Sequence, residues 1–223
     1  MEKVIQLKNI NKSFGKHKIF QDLNWSVKRG KTIGIMGDNG IGKSVLFQII
    51  SGLQKPDSGD VIIQGEKIGE SQDYPNNMGI LINQPGFIGH RTGFENLKLL
   101  ASIQNKISDE KIMNEMKKMN LDPNNQTKVN KYSTGMKQKL GIIQALMEDQ
   151  EIILLDEPFN ALDVEANRDI GNRLLECQKE NKTILIISHS LTTLKRLTDE
   201  FYRVENMKIR PFQKEDEMRF QDF

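Results

Sequence analysis

Apolar and polar residues alternate over residues 3–10, where Val4, Ile5, Leu7 and Ile10 stand among Lys, Gln and Asn. That spacing predicts a strand. Phe20 to Val27 predicts a second, with Leu23, Trp25 and Val27 on one face. After an Arg29-Gly30 turn, the short apolar run Thr32 to Met36 predicts a third. From Lys43 to Leu53 the period changes: Leu46, Ile49, Ile50 and Leu53 recur at helical spacing. Pro56, Asp57, Ser58 and Gly59 mark a turn, and Val61 to Ile63 and Ile80 to Ile82 predict further strands. From Glu95 to Met119 the pattern is helical throughout, through Leu97, Leu100, Ile103, Ile112, Met116 and Met119. A polar loop at Pro123 to Gln126 precedes a helix from Thr134 or Gly135 to about Met147. Ile152 to Leu155 and Thr183 to Ile187 are apolar without alternation, as strands covered on both faces must be, and a helix from Val164 to Asn181 separates them. The whole predicts an α/β core interrupted by a helical insert at 86–148.

The length of 223 residues suits one domain, or one core with a smaller inserted subdomain. Apolar residues at 37% and charged residues at 28% describe a folded globular chain. The formal charge of +2, with basic and acidic residues interspersed, gives no reason to expect nucleic acid or an anionic membrane as a direct partner. The one cysteine, Cys177, can form neither an internal disulfide nor a zinc site. Its helical neighbourhood predicts burial, and a reducing, cytoplasmic compartment fits. No signal peptide is expected from residues 1–6, and no apolar run approaches the ~20 residues that span a bilayer. A membrane role would therefore need a second chain.

Gly37, Asp38, Asn39, Gly40, Ile41, Gly42, Lys43 and Ser44 match the pattern G-x-x-x-x-G-K-S/T between a predicted strand and a predicted helix. Glycines let several backbone N–H groups turn inward on phosphates. The helix N-terminus adds the positive end of its dipole. Lys43 supplies a point charge to the β- and γ-phosphates, and the Ser44 hydroxyl can ligate Mg²⁺.

A second half of such a site follows Ile152 to Leu155. The buried strand ends in Asp156 and Glu157, delivering two carboxylates to the edge of the sheet where ligands bind in open α/β folds. Asp156 is placed to hold Mg²⁺, and Glu157 to orient or deprotonate an attacking water. His189 ends the next apolar strand and is placed to reach the γ-phosphate from the same edge. His17 and His90 read as surface residues.

In this order, from about residue 3 to 205, the segments resemble the ATP-binding subunits of ABC transporters. The family's LSGGQ signature corresponds to Tyr132-Ser133-Thr134-Gly135-Met136, which keeps Ser133 and Gly135 and replaces the first glycine and the glutamine. Asn160 to Asp163 resembles the D-loop, His189 the switch histidine, and Phe14 the aromatic that stacks on adenine. Val45 completes the nucleotide-binding loop. The Q-loop residue is either Asn83 or Gln84: counting from Gly79 or back from Glu95 favours Asn83, whereas the longer side chain of Gln84 restores the usual reach to Mg²⁺ and water and makes Gln84 the preferred reading.

The resemblance implies a P-loop NTPase core with a mostly parallel sheet, an N-terminal antiparallel β subdomain and an inserted α-helical subdomain. The expected divisions are 1–85 with 149–205, 86–148 for the helical part, and a tail over 206–223, with Phe212, Phe220 and Phe223 among charges, that is either a short docking segment or, as preferred, frayed. It implies Mg²⁺-dependent ATP hydrolysis in a head-to-tail dimer, homo- or hetero-, in which Ser133 and Gly135 of one copy close over the γ-phosphate held by the other. A separate permease would hold the subunit at the inner face of the membrane. The signature and Lys137-Gln138 resemble bacterial exporters of peptides or drugs more than importers. The alternative is a soluble ABC-type ATPase acting on ribosomes or DNA, which in this family usually carries two fused ATP-binding halves or long coiled-coil insertions.

Overall fold

The computed structural model describes residues 2–70, 72–83 and 86–220. In chain order the elements are β1 (Lys3–Phe14), β2 (His17–Lys28), β3 (Thr32–Met36), α1 (Lys43–Ile50), β4 (Ser58–Ile63), β5 (Glu66–Lys67), β6 (Met78–Leu81), α2 (Gly93–Gln104), α3 (Asp109–Lys118), α4 (Thr134–Leu146), β7 (Ile152–Asp156), α5 (Val164–Lys179), β8 (Thr183–Ile187), α6 (Leu191–Leu197), β9 (Glu200–Glu205) and β10 (Lys208–Pro211). Two sheets form: an antiparallel one in the order β2-β1-β4-β5, and a six-stranded one in the order β10-β9-β3-β8-β7-β6. The second is parallel from β9 to β6, and only β10 runs antiparallel to its neighbour.

The expected α/β class holds. All five residues of β3, of β7 and of β8 are buried, because helices cover one face of the sheet and the antiparallel sheet with α1 lies on the other. Leu23, Trp25 and Val27 are buried on one face of β2, as their spacing required, and Cys177 is fully buried in α5. His17 and His90 are exposed.

Three local expectations change. β1 and β2 are longer than the alternation suggested and make a hairpin through Gly15 and Lys16. The helical stretch over 95–119 is two helices. Asn105 takes a left-handed φ of 52° and ends α2, and Ser108 caps α3 by accepting from the Lys111 N–H. Apolar residues lie on both sides of the break, although Ile103, counted in that period, is 77% exposed, and the capping chemistry marks the break.

The third concerns the tail. Residues 208–219 are not frayed: β10 pairs with β9, and a 3₁₀ segment, Lys214–Arg219, folds back on the sheet. Asp216 accepts from Arg203 and Arg210, which holds its carboxyl well below the usual range. Phe212 packs between Phe201 and Phe220 with ring centroids 6.1 Å from each. Phe223, also part of that expectation, lies outside the described residues.

The helices between β6 and β7 are fastened to the core by charge as well as by apolar packing. Arg173 on α5 donates to Glu115 on α3, and Lys139 on α4 pairs with Asp169 on α5. All four side chains are buried, so each charge depends on its partner. Gly79 sets how close α4 can approach β6. A Cβ there would lie 1.8 Å from the Ala145 carbonyl oxygen, which is backbone and cannot swing away. Gly171 on α5 has open space at the same point. Gly79→Ala is therefore expected to destabilise the fold by about 1–3 kcal/mol, whereas Gly171→Ala stabilises it by about 0.5–1 kcal/mol. Urea unfolding of the two variants checks the contrast.

Candidate active site

The loop after β3 turns through Gly40 and Gly42, with φ of 76° and 110°. A side chain at Gly42 would meet Ile19 Cγ2 at 2.5 Å, so both conformation and space require glycine. Gly42 is also the N-cap of α1 and offers no side-chain acceptor. The first N–H groups of that helix are thereby left for a ligand. Lys43 is buried, and its Nζ donates to the carbonyls of Gly37 at 2.7 Å and Asp38 at 3.1 Å. Burial lowers its pKa, and the nearby charges of Glu157, Asp156 and Asp38 oppose that shift.

Asp156 is the last residue of β7 and is buried. Burial raises its pKa, with the Ser44 hydroxyl, Lys43 and His189 pulling the other way. Glu157 follows with a left-handed φ of 49°, rare for a residue with a side chain. Its N–H is fixed by the Ile187 carbonyl at 3.0 Å. Burial pushes the Glu157 carboxyl up to about 7; the Asp156 charge adds to this, and Lys43 and the His189 backbone N–H oppose it. His189 Nε2 lies 3.0 Å from Glu157 Oε1, though that oxygen accepts no hydrogen bond. The His189 pKa is lowered, by burial first and then by Lys43, with Asp156 and Asp38 opposing.

Two adjoining cavities expose these groups. The smaller, about 280 Å³, is lined by Phe14, Ile19, Asn39, Gly40, Gly42, Lys43, Ser44, Val45, Asp156, Glu157 and His189. The larger, about 460 Å³, shares Ser44, Asp156 and Glu157 with it and adds Asn83, Thr134, Lys137, Gln138, Asn160 and Ala161. Gly37 is buried below the loop, Asp38 is exposed on it, and Ile41 packs against the apolar core.

Ser133, Gly135 and Asp163 line neither cavity. Ser133 caps α4 by accepting from the Met136 N–H at 3.2 Å, and Asp163 caps α5 by accepting from Ala166 at 2.7 Å. Asn83 lies on the larger cavity with a left-handed φ of 63°. Gln84 lies outside the described residues. Lys137 and Gln138 were not singled out from the sequence as site residues. The signal was available: with Thr134 they occupy positions i, i+3 and i+4 of one helix, a single face.

The donors around Ser44, Asp156 and Asn83 are all oxygens, the set a hard cation such as Mg²⁺ prefers. With Lys43 and the uncapped α1 they offer one charged surface for a nucleoside triphosphate.

Known proteins resemble this chain over most of its length. Residues 20–160 match the family model described as ABC transporter. An uncharacterized ABC transporter ATP-binding protein of Bacillus subtilis, YybJ, is 34% identical over 88% of this chain and 90% of its own length. The lantibiotic transport ATP-binding protein SrtF of Streptococcus pyogenes is 30% identical over 88% of this chain and 84% of its own. The bacitracin transport ATP-binding protein BcrA of Enterococcus faecalis is 33% identical over 89% of this chain, which spans 65% of that protein. Among solved structures, an ATP-binding subunit of an ABC transporter superposes with a TM-score of 0.84 at 25% identity, covering 97% of this chain and 92% of the other.

The raised pKa of Glu157 has a consequence for stability. Below its ordinary value of 4.5 the carboxyl is protonated in both states and burial costs little. As pH rises through about 7 the buried group must ionise, and the stability present at low pH is lost. Glu157→Gln removes that dependence. Relative to the parent, the variant is expected to gain on the order of 2–3 kcal/mol between pH 5 and pH 8, measured by urea unfolding at both.

Proposed function

This chain belongs to the ABC transporter family as an ATP-binding subunit and ATPase, and from that premise we propose that it powers export of a peptide- or drug-like molecule through a separate membrane-spanning partner. The observation that carries the catalytic part is the convergence of Lys43, Ser44, Asp156, Glu157 and His189 on one cavity. The similarity to bacitracin and lantibiotic transport proteins supports the substrate class.

In this reading the loop Gly37 to Ser44, with Val45, binds the phosphates of ATP, and Phe14 stacks on the base. Ser44, Asp156 and either Asn83 or Gln84 would hold Mg²⁺, which when bound supplies charge neutralisation to the β- and γ-phosphates. Glu157 orients the attacking water and takes its proton. The His189 imidazole, beside Glu157, hydrogen-bonds the γ-phosphate.

The site of one chain is open where the signature residues would close it. Ser133, Gly135 and Asp163 serve the site of a second copy, so the working unit is a dimer with two nucleotides at its interface. No helix among the described residues is long and apolar enough to cross a membrane. The permease docks on the helical insert, where Leu99 and Ile103 of α2 are exposed. That contact holds the subunit at the inner face of the membrane.

Glu157→Gln is expected to keep ATP binding and lower turnover by at least about 100-fold. It should also trap an ATP-bound dimer, visible by size-exclusion chromatography. Near-normal turnover in that variant removes Glu157 from the mechanism. For the Q-loop, Asn83 lies on the larger cavity, and the longer side chain of Gln84 favours Gln84 on reach. Gln84→Ala should lower Mg²⁺-dependent turnover more than Asn83→Ala does, and the reverse order assigns the role to Asn83. Co-purification from membranes with a multi-span partner, whose cargo stimulates ATP hydrolysis, tests the transport reading.

A further inference from the structure

Lys12 is a buried cation two residues before Phe14 on β1. A lysine out of water is costly unless paired, and this one has three neighbours. Its Nζ donates to the Lys55 carbonyl at 2.8 Å and to Asp57 Oδ1 at 3.1 Å, and it lies 5.1 Å from the centroid of the Phe14 ring. Asp57, in the turn between α1 and β4, does more than pair with it. Its Oδ2 accepts from the Ser13 N–H at 2.7 Å, and its own N–H donates to the Asn11 carbonyl at 2.8 Å. One turn residue thus fixes the backbone at residues 11 and 13 and the cation at 12, immediately before Phe14.

The ring itself is unusual for a phenylalanine so firmly framed. It is 48% exposed and lines the smaller cavity beside Gly40, Gly42 and Lys43. A cation within about 6 Å of a ring is drawn to its face, which restricts the orientations an exposed ring otherwise samples. A base stacking on a ring already oriented forfeits less conformational freedom on binding.

We propose that Lys12, held by Asp57, is a positioning residue for nucleotide binding that orients the Phe14 ring for the base. This rests on the reading of Phe14 as the base platform. The test is a double-mutant cycle of Lys12→Met and Phe14→Ala, with calorimetric Kd for ATP and for inorganic tripolyphosphate, which has no base. Lys12→Met should weaken ATP binding about two- to fivefold, leave tripolyphosphate unchanged, and add nothing in the Phe14→Ala background. An unchanged ATP affinity in Lys12→Met, an equal loss for tripolyphosphate, or full additivity with Phe14→Ala overturns the role of Lys12. If Phe14→Ala alone leaves ATP binding unchanged, the platform reading fails first and takes this one with it. Should Lys12→Met not fold, Asp57→Asn releases the same anchor. It must then show a base-dependent loss that vanishes in the Phe14→Ala background, and a loss shared with tripolyphosphate counts against the proposal.

Discussion

Everything at the site depends on the register of three parallel strands. Ile187 of β8 stands opposite Asp156 of β7 on one side and Ile35 of β3 on the other. The three strands therefore end level. The phosphate loop leaves β3 one residue after Met36, the two carboxylates close β7, and His189 follows β8 by two residues. The hydrogen bonds continue past the strands: the Glu157 N–H is held by the Ile187 carbonyl, and the Ser188 N–H by that of Ile35 at 3.3 Å. Slippage of β7 by one residue would turn Asp156 to the opposite face of the sheet. The apolar filling of β3, β7 and β8, broken only by Thr32, Asp156 and Thr183 at their ends, prevents this only in combination with the helices on one side and α1 on the other, since neither face of such a strand is polar enough to choose water.

The same packing makes the site electrostatically unfinished. Lys43, Asp156, Glu157 and His189 are drawn into a region where charge is poorly solvated, and the direction of each pKa shift follows from burial opposed by neighbours. Lys43 satisfies itself on the loop's own carbonyls, the N-terminus of α1 has no side-chain cap, and one Glu157 oxygen accepts no hydrogen bond. A triphosphate complements Lys43 and the N-terminus of α1. Glu157 and Ala161 hold left-handed φ of 49° and 56° beside the cavities.

Much of this was legible along the chain. The period of two gave β1 and β2, unbroken apolar runs gave β7 and β8, and local spacing marked the phosphate loop. What was missed lies where stability comes from partners distant in sequence. β9 reads Glu-Phe-Tyr-Arg-Val-Glu, too charged to look like an inner strand of a sheet, because Arg203 is neutralised by Asp216 in a segment that folds back on it. The expectation of a frayed tail failed for the same reason. The break between α2 and α3 was hidden because both helices present apolar residues to one core, so the period continued while the backbone did not.

The sequence by itself determined which groups are available for chemistry: a glycine loop ending in Lys43 and Ser44, a strand ending in Asp156 and Glu157, and a histidine after the next strand. Each of these is a short contiguous pattern whose meaning depends on residue type and on the element beside it. Only the tertiary structure decided which of them meet. It brings Phe14 to the loop through the β1–β2 hairpin, sets Lys12 against its ring through a turn residue more than forty positions away, and turns Ser133 and Asp163 away from the cavities as helix caps. The physical reason is that strand register and the pairing of buried charge act between residues far apart in the chain, and no local pattern encodes the distance between them.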